Sequence, residues 1–99
     1  MKGYILAQIE VTDQEQYAKY TAATPAVIRK YGGRFLVRGG EPVVLEGSTA
    51  ASRVVLVEFP SPEKARQFYY SPEYQQVRCL RSGAAQGVLI ALRGVETKA

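Results

Sequence analysis

No histidine and no tryptophan occur among the 99 residues, and cysteine and methionine occur once each. Without histidine there is no Ser-His-Asp triad, no Cys-His pair and no imidazole ligand for a metal. The single Cys79 excludes an internal disulfide and a CxxC metal site. A free thiol suits a reducing compartment, so the expected location is the cytoplasm. Long apolar runs are missing as well: none approaches the roughly 18–20 residues of a membrane-spanning helix. Gln8 and Glu10 interrupt the first apolar stretch too early for a secretory signal. No membrane partner is therefore expected. The net charge is +4, but the basic residues are scattered, with no run beyond Arg29-Lys30. Without a basic stripe or a recognition motif, no nucleic-acid partner is expected either.

What is present is a globular composition, 46% hydrophobic and 22% charged. The length allows one core, so residues 1–99 are expected to form a single domain. Residues 3–11 alternate, with Ile5, Ala7, Ile9 and Val11 on one side and Tyr4, Leu6, Gln8 and Glu10 on the other: a strand. Thr12 and Glu15 have capping-box spacing ahead of a helix. Tyr17, Tyr20, Val27, Ile28 and Tyr31 recur on one face of that helix. Pro25 is expected to kink or restart it, with Thr24 as a second cap, and Gly32-Gly33 to end it. Residues 34–38 read as the second strand and 43–46 as a short extra one. Residues 47–52 read as a small-residue loop. Residues 53–59 read as a central strand buried on both faces. Ser61-Pro62-Glu63 and Ser71-Pro72-Glu73 are two helix starts in succession. Gly83 or Gly87 closes the second helical region, residues 88–93 form the last strand, and 94–99 form a polar tail.

The order β-α-β-β-α-β gives an α+β, ferredoxin-like arrangement: a four-stranded antiparallel sheet with two helices on one face. The other face remains partly apolar, which is unusual on a free monomer. A homodimer through the sheet face would cover it, the two sheets closing into a barrel.

Several segments carry a family resemblance. They are Tyr31-Gly32-Gly33-Arg34-Phe35-Leu36-Val37-Arg38-Gly39-Gly40, Val44-Leu45-Glu46-Gly47, Glu58-Phe59-Pro60-Ser61, Tyr69, Ser71-Pro72-Glu73-Tyr74, and Arg78 to Arg81. Together they resemble the domain of unknown function 1330 family over nearly the whole chain. The resemblance implies the dimeric α+β barrel, whose wider relatives include cofactor-free monooxygenases and isomerases. It brings no agreed reaction.

Five residues are candidates for binding a ligand. Arg38, before two glycines, suits a carboxylate or phosphate; alternatively it is a solvated strand-end charge or a dimer ion pair. Glu58 ends an apolar strand and suits proton transfer. In a hairpin with Leu36 opposite Leu56, however, Glu58 faces Arg34 and makes an ion pair, the favoured reading. Tyr4 and Tyr69 offer apolar bodies with polar tips. Arg81, beside Tyr74 on the inward side of its helix, needs a carboxylate or an anion. Tyr17, Tyr20, Tyr31 and Tyr74 are assigned to packing. No catalytic residue is assigned, and no cofactor or metal is expected, since the glycine pairs match no dinucleotide or phosphate loop. The expected function is a homodimeric barrel binding a small anion, with cofactor-free proton-transfer, isomerase or monooxygenase chemistry open to it. The alternative is a structural or interaction dimer with no small-molecule site.

Overall fold

The computed structural model describes residues 1–96, so residues 97–99 of the expected tail lie outside the described residues. The elements run β1 (Gly3–Val11), α1 (Gln14–Lys30), β2 (Arg34–Gly39), β3 (Arg53–Phe59), α2 (Pro62–Tyr70), α3 (Pro72–Arg78), a 3-10 turn (Cys79–Arg81) and β4 (Ala85–Arg93). The strands form one antiparallel sheet in the order β2-β3-β1-β4. This is the α+β, ferredoxin-like arrangement that the sequence predicts.

The alternation along β1 sets the two faces. Ile5, Ala7 and Ile9 are buried under the helices with Val57 and Phe59 of β3. Phe68 and Tyr74 close over them, and Phe68 stacks 5.2 Å from Phe59 and 4.6 Å from Tyr74, centroid to centroid. On the opposite face the register aligns Val37, Leu56, Leu6 and Ile90 in a row across all four strands. Val37, Val88, Ile90 and Leu92 are exposed there. Thus β3 is central, but contrary to the expectation from its continuous apolar run it is not buried on both faces. Val54, Leu56 and Glu58 on the open side are only half-buried in one chain.

Local chemistry moves several boundaries. Asp13, not Thr12, caps α1: its backbone is extended and its Oδ1 accepts from the Gln16 N–H at 3.1 Å. A carboxylate there also meets the positive end of the helix dipole. Pro25 does not break α1, which runs on to Lys30. Proline removes one donor, the partner of the Thr21 carbonyl four residues back. Arg38 Nη2 donates to that carbonyl instead, at 3.3 Å. Thr24 is no second cap, because its Oγ1 donates back to the Tyr20 carbonyl at 2.6 Å. The break at Ser71 does occur. Its Oγ accepts from the Tyr74 N–H and donates to the Phe68 carbonyl, ending α2 and starting α3.

Residues 43–46 form no strand. Both edges of β3 are already occupied, and Pro42 lacks a donor for pairing. Gly83, at φ +76°, ends the helical region. β4 therefore starts at Ala85, before the expected Val88. It passes so close to β1 that a Cβ at Gly87 would stand 2.2 Å from the Gln8 carbonyl oxygen.

The most consequential departure lies in β2. Arg34 pairs with Glu58 as expected, but Val37, not Leu36, faces Leu56, because the register shifts between Phe35 and Val37. The bulge turns Arg38 to the helix side of the sheet, opposite Val55, while Arg34 stays on the open side.

Candidate functional site

An interior cavity of about 50 Å³ lies between α1 and the sheet, lined mainly by Tyr17, Tyr20, Thr24, Phe35, Val55 and Tyr74, with Thr21, Arg38 and Arg53 also on its wall. An open groove of about 410 Å³ shares Tyr17, Thr21 and Arg53 with it, so these residues mark the entrance. Arg38 packs over the Phe35 ring, 4.6 Å from its centroid, and is tied to α1 through the Thr21 carbonyl. Arg53 reaches along β2: a Cβ on Gly39 would meet its Nη1 at 2.8 Å, so glycine makes room for the guanidinium. The guanidinium carbon of Arg53 lies 5.8 Å from the Tyr17 ring centroid, and its Nε is buried without a hydrogen-bond partner. Among the described residues, neither Arg38 nor Arg53 pairs with a carboxylate.

Deeper in, the hydroxyls of Tyr20 and Tyr74 are 2.7 Å apart. Burial pushes the Tyr20 phenol well above its ordinary pKa, and the neighbouring Tyr74 adds to this. Tyr17 is raised too, chiefly by burial. Arg81 stands beside the pair, its guanidinium carbon 5.4 Å from the Tyr20 centroid and its Nε buried without a partner. Burial pulls the Arg81 pKa down, but the Tyr74 and Tyr20 hydroxyls outweigh it, and the net direction is up.

The other sequence candidates lie elsewhere. Tyr4 and Glu58 are on the open face, where Tyr4 Oη donates to Glu58 Oε2 at 3.1 Å and Arg34 Nε donates to Oε1 at 3.0 Å. The ion pair is the observed state of Glu58. The Arg34 hydrogen bond holds its carboxyl below the usual carboxylate range, and Tyr4 contributes. The same carboxylate raises the Tyr4 phenol. A lowered carboxyl pKa stabilises the fold above the unfolded value of about 4.3, and the contribution is lost as pH falls through the folded value. Glu58→Gln is therefore expected to flatten the acid limb of a plot of Tm against pH. An unchanged limb would show that the pair adds nothing. Lys30 and Glu73, a second pair that lowers the Glu73 carboxyl, should preserve the remaining slope. Tyr69 lines a separate groove of about 330 Å³ with Ala65, Arg66, Leu89 and Ile90.

The five candidates thus fall in three places: Arg38 lines the cavity and Arg81 stands behind its wall against Tyr20, while the other three lie elsewhere. Arg53, Tyr20 and Tyr74 are the residues that sequence reasoning did not select for binding. Arg53 carries a readable signal: it shares the parity of Val55, Val57 and Phe59, so a charge sits on the core side of a strand. Among the described residues no three His, Cys, Asp or Glu side chains gather to hold a metal. No helix there is long and apolar enough to cross a membrane.

The model of a family described as a domain of unknown function (DUF1330) matches residues 2–95. The chain is a DUF1330 protein. No curated protein matches it in sequence. Among solved structures, this DUF1330 protein is similar to a protein of unknown function from Rhodopseudomonas palustris at 22% identity and TM-score 0.77, over 97% of this chain and 84% of that one. It is also similar to SnoaB, a cofactor-independent oxygenase from Streptomyces nogalater, at 12% identity and TM-score 0.67, over 97% and 95%. A dimeric ferredoxin-like protein of unknown function from Thermobifida fusca matches at 11% identity and TM-score 0.57, over 94% and 91%. At these identities the DUF1330 protein shares a fold with them.

Proposed function

We propose that this DUF1330 protein is a single-domain, cytoplasmic homodimer that binds a small organic anion between α1 and the sheet. The observation that carries the binding site is the cavity wall, which Arg38 and Arg53 both line while pairing with no carboxylate among the described residues. A carboxylate bound there would accept charge-assisted hydrogen bonds from these guanidiniums. The apolar row Val37, Leu56, Leu6 and Ile90 supports the dimer, since a face of that character calls for cover. The dimeric T. fusca protein of the same fold agrees with this. The free Cys79 thiol fits the cytoplasmic assignment. Arginines and phenols stabilise developing negative charge, so proton transfer or isomerisation is the chemistry such a site supports without a cofactor.

The test is a titration with sodium pentanoate followed by amide NMR. Saturable shifts are expected at Thr21, Arg38 and Arg53. Arg38→Met and Arg53→Met should each weaken binding about tenfold or more, the loss of a charged hydrogen bond, with the dimer intact. No saturable shift at these residues, or full affinity in both variants, would leave the structural dimer as the reading.

A further inference from the structure

The cavity's inner end has more donors than acceptors. Tyr20 and Tyr74 each bring one hydroxyl proton, and one of the two lies in their mutual hydrogen bond. The other has no acceptor among the described residues. Arg81 beside them can only donate, and its Nε is already unpartnered. Tyr74 is only 1% exposed, so bulk water does not satisfy its hydroxyl. A further oxygen with free lone pairs would accept from this donor-rich cluster.

We infer that the Tyr20–Tyr74 pair, positioned by Arg81, is a binding site for a second ligand oxygen, a carbonyl, enolate or hydroxyl. The inference rests on the arginine entrance holding the carboxylate. The cavity is small, about 50 Å³, and a keto or hydroxyl end is the group placed against the phenols. The ligand class is then a short-chain oxo or hydroxy carboxylate, its carboxylate at Arg38 and Arg53 and its second oxygen against the phenols. The positive charge of Arg81 favours any negative charge that develops on that oxygen.

The experiment compares acids of matched length by the same NMR titration: levulinate against pentanoate and acetoacetate against butyrate. At least one keto acid should bind about tenfold tighter than its plain partner. Tyr20→Phe keeps the ring and should abolish that preference, the keto acid then binding no tighter than its plain partner. Tyr74→Phe should do the same if Tyr20→Phe fails to fold, and Arg81→Met should reduce the preference. Equal binding of both members of both pairs overturns the oxygen site but leaves the entrance standing. A preference that survives both phenylalanine variants overturns it too. If no acid binds, the entrance reading falls and the oxygen site with it.

Discussion

A Leu56→Asp variant is expected to run as a folded monomer in size-exclusion chromatography with light scattering, at concentrations where the wild-type chain runs as a dimer. Leu56 pairs with Leu6 on one side and Val37 on the other, at the middle of the open face. Its side chain points away from the helices, so a carboxylate there is tolerated in the single chain. In a dimer built by two-fold symmetry the change enters twice. Each leucine loses about 1.5–3 kcal/mol of burial, and each carboxylate would lose its water. At 1.4 kcal/mol per factor of ten, the dimer weakens on the order of a thousandfold or more. Circular dichroism should stay that of the parent. A monomeric wild-type chain, or a variant as dimeric as the parent, would remove the sheet face as the interface.

Phe68→Ala is expected to be the most damaging single truncation for stability. Phe68 is 3% exposed and meets three rings, Tyr74 at 4.6 Å, Phe59 at 5.2 Å and Tyr31 at 6.3 Å between centroids. Truncating a buried phenylalanine costs about 3–5 kcal/mol, a large share of the roughly 5–15 kcal/mol by which a domain is stable. For a domain of this size about 1 kcal/mol moves Tm by 4–8 °C, so a fall of at least about 12 °C should be seen by differential scanning calorimetry. Phe68 also lines the cavity, and the void left by its ring would join it. A loss under about 1.5 kcal/mol would mean that the neighbouring rings collapse into the space.

These two sites show why the fold was largely readable. Alternation assigns each residue of β1 to a face without reference to anything distant, and Ser61 and Ser71 cap by contacts within three residues. Pro25 shows where local reading stops. Its cost depends on whether some other donor reaches the Thr21 carbonyl, and that donor, Arg38, comes from another element. The site was harder still. Tyr4, Glu58 and Arg38 have the right chemistry, but their convergence depends on register. Glu58 was rightly paired with Arg34, whereas the shift after Phe35 carries no local signature in Arg-Phe-Leu-Val-Arg. Tyr20 and Tyr74 were rightly placed in the packing. Their hydrogen bond joins positions 54 residues apart, and nothing near either tyrosine in the chain announces it.

The extra residue in β2 also bears on how long that strand must be. In an even strand, Arg34 and Arg38 would lie on the same side. Here one serves the open face and the other the cavity, and the single bulged position separates them. Removing Leu36 would leave regular alternation, with Val37 still opposite Leu56 and Arg38 still opposite Val55. One deleted codon would thus straighten the strand and keep both arginines on their present faces. At this point in β2 a residue can be lost without exchanging a charge between the two sides of the sheet.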